Sequence, residues 1–527
     1  MILLKNGLVF NGEEKAFRSD ILIEKDKIVK ISKNINNENA EIIDCKNKCI
    51  APGFIDAHSH NDFFAAMDDN LKYFETFIKQ GVTTMITGNC GFSAAGYKQN
   101  TPYNNEIGGG LFTNNGKDWH SFKEWANMVD KKSPINIASL QGHGTVRISL
   151  NSMSSSNLNE KQLEELENLI EKTLEEGAAG VSLGLMYEPS QFAPRDELLR
   201  IAKIVKKHNK VLSFHIRALS KVSTSYTPPI GGKAHILRAL DEVIDITKQT
   251  GVKTQISHLI FVGEKTWNCV GEAIDMIEKA NNEGLDIMFD IYALTFGASI
   301  ITVIMPLWYL SLSKEKRQKT LTKLRLALEM AVTKKTLGFS FNDVMVSNTR
   351  GILKEIEGKT IAQIAKEWKT SHNKAFLKVI EQTNGKTDVL MFKYSNEEII
   401  NRLRKHPLSL FMTDAWITEQ GVQNFAAYYN FVKFLIMARE NSEPIEDTIK
   451  KMTSLTAKRY SIKDRGLVKE GYKADITIFD KEKLDYKEQK ELSPDGIDFV
   501  IINGKIVLKN GVLDKKAVKG SGKFISV

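Results

Sequence analysis

The sequence predicts an α/β protein: a (β/α)8 TIM barrel with a small β-domain built from both chain termini and an inserted subdomain between strands 7 and 8. Three observations predict it. Eight short apolar segments alternate with amphipathic helical stretches through the middle of the chain. Short strand patterns and Asn-Gly turn signals occupy both ends. The stretch 293–407, between the last two apolar segments, is far too long for one βα connection. The expected domains are 1–51 with 464–527 as a small β-sandwich or barrel, and 52–463 as the main barrel with its insertion at about 293–407.

At the N-terminus, Ile2–Phe10, Ile21–Glu24, Lys27–Ser32 and Glu41–Asp44 read as strands separated by turns such as Asn11-Gly12 and Lys25-Asp26. At the other end, Asp475–Asp480, Phe499–Leu508 and Val512–Leu513 surround Asn503-Gly504 and Asn510-Gly511, dipeptides that readily take the positive φ of a type I′ hairpin. The barrel strands are expected at Phe54–His60, Thr83–Cys90, Asn136–His143, Ala179–Tyr187, Val211–Arg217, Thr254–Ile260, Asp286–Tyr292 and Leu408–Asp414. Gln162–Glu175 and Asp196–Lys207 carry apolar residues at three- and four-residue steps and read as helices, as do Lys314–Val332 and Ile361–Lys369 inside the insertion. An insertion after strand 7 of a barrel lies at the C-terminal mouth, as a lid or as a packing or oligomerisation element. A doubly wound sheet is the alternative, and it lacks both a G-x-G-x-x-G turn after an early strand and a Walker loop.

With 42% hydrophobic and 26% charged residues the composition is that of a globular protein, which excludes a disordered, collagen-like or coiled-coil chain. The net charge of +9 is spread without a dense Lys/Arg block, so no nucleic-acid partner is expected. The longest apolar run, Ile300–Leu312, is broken by Pro306 and falls short of the ~20 residues of a membrane span. The start of the chain lacks the apolar core and cleavage site of a signal peptide. Four cysteines, Cys45, Cys49, Cys90 and Cys269, make no disulfide framework. A cytoplasmic enzyme acting on a small molecule is the expectation, with homo-oligomerisation left open.

Polar residues at the strand ends carry the chemistry, because in a barrel those ends converge on one rim. The first strand ends Asp56-Ala-His58-Ser-His60, and strand alternation puts His58 and His60 on one side. Cys90, His143, His215, His258 and Asp414 close other strands. Taken singly, each has an ordinary structural reading: a buried thiol, a satisfied core histidine, a helix cap. Together they are the donor types zinc prefers, and the thiolate favours zinc over magnesium or calcium.

Several blocks then resemble a known family. They are Ala51-Pro-Gly-Phe-Ile-Asp-Ala-His-Ser-His60, Gly81-Val-Thr-Thr84, Gly88-Asn-Cys-Gly-Phe-Ser93, Gly142-His-Gly-Thr-Val-Arg147, Gly184-Leu-Met-Tyr187, His215-Ile-Arg217, Ser257-His258, Met452-Thr-Ser-Leu-Thr-Ala457 and Asp464-Arg-Gly-Leu-Val-Lys-Glu-Gly-Tyr-Lys-Ala-Asp475. In these the chain resembles the amidohydrolase superfamily and, within it, the N-acyl-D-amino-acid deacylases (D-aminoacylases). Most amidohydrolases bridge two metals with a fourth-strand lysine. Tyr187 and Glu188 stand there instead, and Cys90 matches the cysteine that the deacylase branch uses.

The resemblance implies one tightly bound zinc on Cys90, His215 and His258. It implies a second, weaker site on His58, His60 and Asp414, with Cys90 bridging. It also implies hydrolysis of a linear amide C–N bond by zinc-activated hydroxide, with N-acyl-D-amino acids as substrates and Asp414 as general base and then acid. His143, Tyr187, Arg217 and Tyr292 are candidate substrate contacts at strand ends. A cyclic amidase of the hydantoinase or dihydroorotase type is the enzymatic alternative, disfavoured by Cys90, and a non-catalytic scaffold would have lost donors. Two cations that the family places beside the substrate carboxylate are absent. Ile260 occupies the first position, and Ala415-Trp416-Ile417 with Gln423-Asn424-Phe425 replaces the second. A buried carboxylate without a partner is costly, so a neutral or more apolar acyl-amine or cyclic amide is expected.

Overall fold

The computed structural model describes residues 1–108, 112, 119, 121–223, 225–226, 231–310 and 312–527. Its centre is a parallel sheet of eight strands: β1 (Phe54–Asp56), β2 (Val82–Thr87), β3 (Asn136–Gly142), β4 (Gly180–Gly184), β5 (Val211–His215), β6 (Lys253–Ile256), β7 (Ile287–Ile291) and β8 (Ser409–Phe411). They pair in sequence order, β1 to β8. Two backbone bonds then join the last strand's end to the first: Ala57 donates to the Phe411 carbonyl at 3.2 Å and Asp414 donates to that of His58 at 3.0 Å. The result is a (β/α)8 barrel, with every expected strand present but shorter by a few residues at its C-terminal end. The chain leaves the ladder there to form the loops that carry the polar side chains.

The surrounding helices follow from local signals. Glu160–Glu175 starts at a capping box between Asn159 and Gln162 and buries Leu166, Ile170 and Leu174 against the barrel. Arg195–Lys207 starts after Pro194, whose fixed φ suits a helix entry, and buries Leu198, Ile201, Ala202 and Val205. Side chains at this spacing form one apolar stripe, and each leucine, isoleucine or valine in it contributes ~1.5–3 kcal/mol when buried.

Both termini enter a second sheet. Val512–Leu513, Lys505–Lys509, Ile497–Ile502 and Ile476–Phe479 come from the C-terminal end; Cys49–Pro52, Ile2–Val9, Phe17–Glu24 and Lys27–Ser32 come from the N-terminal end, with Glu41–Asp44 beside Ile2–Val9. Cys49–Pro52 is the seam: it pairs with Ile2–Val9 on one side and Ile476–Phe479 on the other. One residue later the chain becomes β1. Gly53 makes that corner, where an added Cβ would lie 2.2 Å from the Thr83 hydroxyl. Cys45 and Cys49 are buried free thiols, each pushed up to about 12 by burial; Cys45 packs in this sheet's own core and Cys49 in the core it shares with the barrel. No helix among the described residues is long and apolar enough to cross a membrane.

The insertion after β7 contains a three-stranded antiparallel sheet, ordered Gly297–Ile300, Asp388–Met391, Val344–Asn348. The helix expected over Lys314–Val332 is two, Lys314–Gln318 and Thr320–Leu337, broken where Lys319 takes an extended conformation. Asp388 is buried in this subdomain. One of its oxygens accepts from Arg350 Nη2 at 3.0 Å and the other has no partner. Burial pushes its carboxyl up to about 6, against the opposing pull of Arg350. The unfolded chain binds this proton only below ~3.9. Between those values the folded state holds more protons, so this residue's contribution to stability falls as pH rises from about 4 to 6. Asp388→Asn is expected to remove that slope, worth roughly 2–3 kcal/mol. Urea midpoints of both proteins at pH 4.5 and 7 measure it, and parallel midpoint shifts would refute the assignment.

Candidate metal centre

Six side chains with donor atoms gather just beyond the C-terminal ends of five barrel strands. His58 and His60 follow β1, which stops at Asp56. Strand alternation therefore does not set their facing, contrary to the sequence expectation; local hydrogen bonds do. The buried Asp56 carboxylate accepts the backbone N–H of His58 at 3.2 Å and that of Thr413 at 2.9 Å, together with the Thr413 hydroxyl. It thereby ties the loop after β1 to the loop after β8. Burial pushes Asp56 up to about 7, and these donors oppose the shift.

Cys90 lies in the turn after β2, and glycines make that turn fit. Gly88 has φ +71°, and a Cβ there would fall 2.1 Å from the Leu140 carbonyl oxygen; Gly91 has φ +82°, with a virtual Cβ 2.7 Å from the Gly184 nitrogen. The turn thus presses against β3 and β4 and aims the thiol inward. His215 is the last residue of β5. His258 follows β6, and its backbone N–H donates to Asp290 of β7 at 2.6 Å. Cys90, His258 and Asp414 all have left-handed backbone, with φ of 52°, 33° and 48°. Such conformations cost of order 1 kcal/mol or more each outside glycine and concentrate at functional sites.

Cys90 Sγ lies 3.4 Å from His58 Nε2, 3.5 Å from His215 Nδ1 and 3.4 Å from His258 Nε2. Asp414 Oδ1 lies 3.2 Å from His60 Nε2 and 3.3 Å from His58 Nε2. Two groups of donor atoms follow, each within 4.8 Å: Cys90, His215 and His258, and His58, His60, Cys90 and Asp414. Burial would raise the Cys90 thiol, but the His58, His258 and His215 imidazoles together hold it well below its ordinary range. Burial likewise opposes ionisation of Asp414, and His258, His58 and His60 overcome it and keep the carboxylate well below its usual value. Against their own burial, Cys90 and Asp414 raise the imidazoles of His58 and His258. Two buried anions therefore share a pocket whose positive charge comes from protons, the arrangement in which a divalent cation exchanges for them. Thiolate, imidazole and carboxylate are zinc's preferred donors, and the residues fit that metal.

The site opens into a cavity of about 210 Å³ bordered by His215, His258, Asp414, Tyr187 and residues of the insertion such as Ser299 and Ile300. The insertion thus covers the metal-binding end of the barrel. Of the four expected substrate contacts, Tyr187 lines the cavity and its ring lies 4.6 Å from that of His215. Tyr292 is buried nearby, its hydroxyl without a hydrogen-bond partner. His143 and Arg217 lie elsewhere. His143 Nε2 meets Glu197 at 2.7 Å and its Nδ1 meets Ser190 at 3.0 Å, while Arg147 forks onto the same glutamate. Arg217 pairs with Glu242 at 3.0 Å and donates to the Gln191 carbonyl at 2.7 Å. Both brace the loop after β4 from behind the cavity. Ile260 lines the cavity. Trp416 instead packs edge-on against His60 and Phe112, shielding that imidazole.

Sequence reasoning missed Asp290 and Glu197. Asp290 sits 3.5 Å from His58 Nδ1 and also accepts from Gln255 and the backbone of His258. No motif marks either residue, because each is recognisable only by what it meets across the barrel.

Relatives span the whole chain. N-acyl-D-aspartate deacylase of Alcaligenes xylosoxydans xylosoxydans is 23% identical over 512 residues, covering 95% of this chain and 90% of that protein. The crystal structure of N-acyl-D-glutamate deacylase from Bordetella bronchiseptica, complexed with zinc and a phosphonate inhibitor, superposes with a TM-score of 0.82 at 21% identity, covering 100% of this chain and 99% of that one. D-hydantoinase from Thermus sp. is more distant, with a TM-score of 0.56 and 14% identity, covering 100% of this chain and 99% of that one. The model of the amidohydrolase family matches residues 41–250 and 402–508, more than half of the sequence, and the chain belongs to that family.

Proposed function

We propose that the protein is a zinc-dependent amidohydrolase that cleaves a linear amide, taking an N-acyl-D-amino acid and water to a carboxylate and a free D-amino acid. The observation that carries this reading is one cysteine sulfur shared by two donor groups at the floor of a covered cavity. Cys90, His215 and His258 would hold one zinc tightly, and His58, His60 and Asp414, together with Cys90, would hold a second more weakly. Zinc bound there supplies a Lewis acid that polarises a carbonyl and acidifies water. Asp414 Oδ1, ionised at neutral pH, takes the proton of the attacking water and returns it to the departing nitrogen, so the carboxylate is regenerated in each turnover. The Tyr187 and Tyr292 hydroxyls hold the acyl end in this reading, supported by Tyr187 on the cavity lining and by the unpartnered Tyr292 hydroxyl. Asp56 and Asp290 keep the histidine loops in register. The cyclic-amidase reading draws less support, because the hydantoinase fold is further removed.

Protein purified without chelator is expected to carry zinc and to hydrolyse members of an N-acetyl-D-amino-acid panel. Dialysis against a strong chelator should abolish the activity and added zinc should restore it. A zinc-loaded protein inert toward every linear amide but active on hydantoins would transfer it to the cyclic class.

A further inference from the structure

Glu188 borders the same cavity, directly after Tyr187. Outside the metal cluster it is the one carboxylate among the described lining residues, and no lysine or arginine is among them. It forms no ion pair with any described residue within 4.0 Å. Its neighbours around the cavity are apolar or neutral, including Met186, Val303, Ile304 and Ser299. The cation that acts on Glu188 is Arg317 of the insertion, whose guanidinium is engaged with Tyr309: its Nε donates to the Tyr309 carbonyl at 3.1 Å, and it lies 5.5 Å from the centre of that ring. Burial raises the Glu188 carboxyl and Arg317 only partly offsets this.

An acidic side chain on a substrate would meet a like charge here, and a like charge in a partly dry cavity discriminates strongly against it. Relatives whose names specify N-acyl-D-aspartate and N-acyl-D-glutamate take such acids. Ile260 brings no charge to the lining and Trp416 packs against His60 and Phe112, so Glu188 carries the one charge on the described lining outside the metal cluster.

We propose that Glu188 is a specificity-determining residue that selects amides bearing a protonated amine or guanidinium at the end away from the scissile bond. The inference rests on the amidase reading above. An N-acylated basic D-amino acid fits both. Its aliphatic stem lies along the methionine and isoleucine walls, and its cationic head pairs with Glu188, a charge-assisted contact.

The experiment compares N-acetyl-D-lysine, N-acetyl-D-norleucine and N-acetyl-D-glutamate on the zinc-loaded protein and on Glu188→Gln and Glu188→Lys. The wild type is expected to favour lysine over norleucine by roughly ten- to a hundredfold in kcat/KM. Glu188→Gln should collapse that ratio toward one, and Glu188→Lys should shift preference toward glutamate. A ratio within one preparation is insensitive to any loss of folded or metal-loaded protein. Calorimetry on the metal-free protein gives a second readout: N-acetyl-D-lysine should bind more tightly than the norleucine compound, and the difference should vanish in Glu188→Gln. Norleucine hydrolysed as well as lysine, or a ratio unchanged in Glu188→Gln, overturns the assignment and leaves the amidase reading standing. No hydrolysis of the three by a protein that cleaves other N-acetyl-D-amino acids overturns the assignment alone, and inertness toward the whole panel overturns both.

Discussion

Cys90→Ser is expected to leave a folded protein with little bound zinc and a kcat/KM for its amide substrate lowered at least ~1000-fold. The sulfur belongs to both donor groups, so its loss weakens both positions at once. A serine hydroxyl keeps the shape but stays protonated at neutral pH, and only the thiolate brings a charge. Three imidazoles now hold that thiolate ionised despite its burial; without it, His58 and His258 lose the anion that does most to raise them. Metal content by mass spectrometry, read beside circular dichroism, separates metal loss from unfolding. A Cys90→Ser protein with stoichiometric zinc and wild-type turnover would dismantle the assignment of this centre.

Asp414→Asn should behave differently. Its kcat is expected to fall ~10²–10⁴-fold, the range for removing a general acid–base group, while zinc on Cys90, His215 and His258 is retained. The amide can accept hydrogen bonds from His60 and His58 but cannot carry a proton from water to nitrogen. Burial disfavours the Asp414 charge, and the facing imidazoles more than compensate, so the native side chain is ready to accept that proton. The contrast between the two variants is the informative part: one loses metal and rate together, the other loses rate with metal in place. If Asp414→Asn keeps its turnover, proton transfer runs through another group.

The barrel was legible because each strand is a short apolar run followed by a polar break, and each of the eight breaks lies within a few residues of the end of a real strand. The donor set was legible for the same reason: residues that close strands must converge on one rim. The logic failed where position depends on a distant partner. His58 and His60 converge through Asp56 and Asp414 rather than through strand alternation. Arg217, read as a substrate contact, meets Glu242 of the next helix, and His143 meets Glu197; neither glutamate stands out in a one-dimensional pattern. The break at Lys319 has no sequence signal, because neither glycine nor proline stands there and the residues leading into it, Lys314–Gln318, are good helix formers.

Residues 49–52 have to hydrogen-bond with residues 476–479, more than four hundred positions downstream. During synthesis the N-terminal ribbon therefore emerges long before its neighbour exists, with one backbone edge open. Pairings of such high contact order close slowly, and unpaired edges invite intermolecular association in the interval. Because the same four residues run through Gly53 into β1, the barrel's first strand gains this anchor only after residues 476–479 have been made. Chaperone dependence at the ribosome, and intolerance of C-terminal truncation out of proportion to the distance from the metal, follow from that single seam.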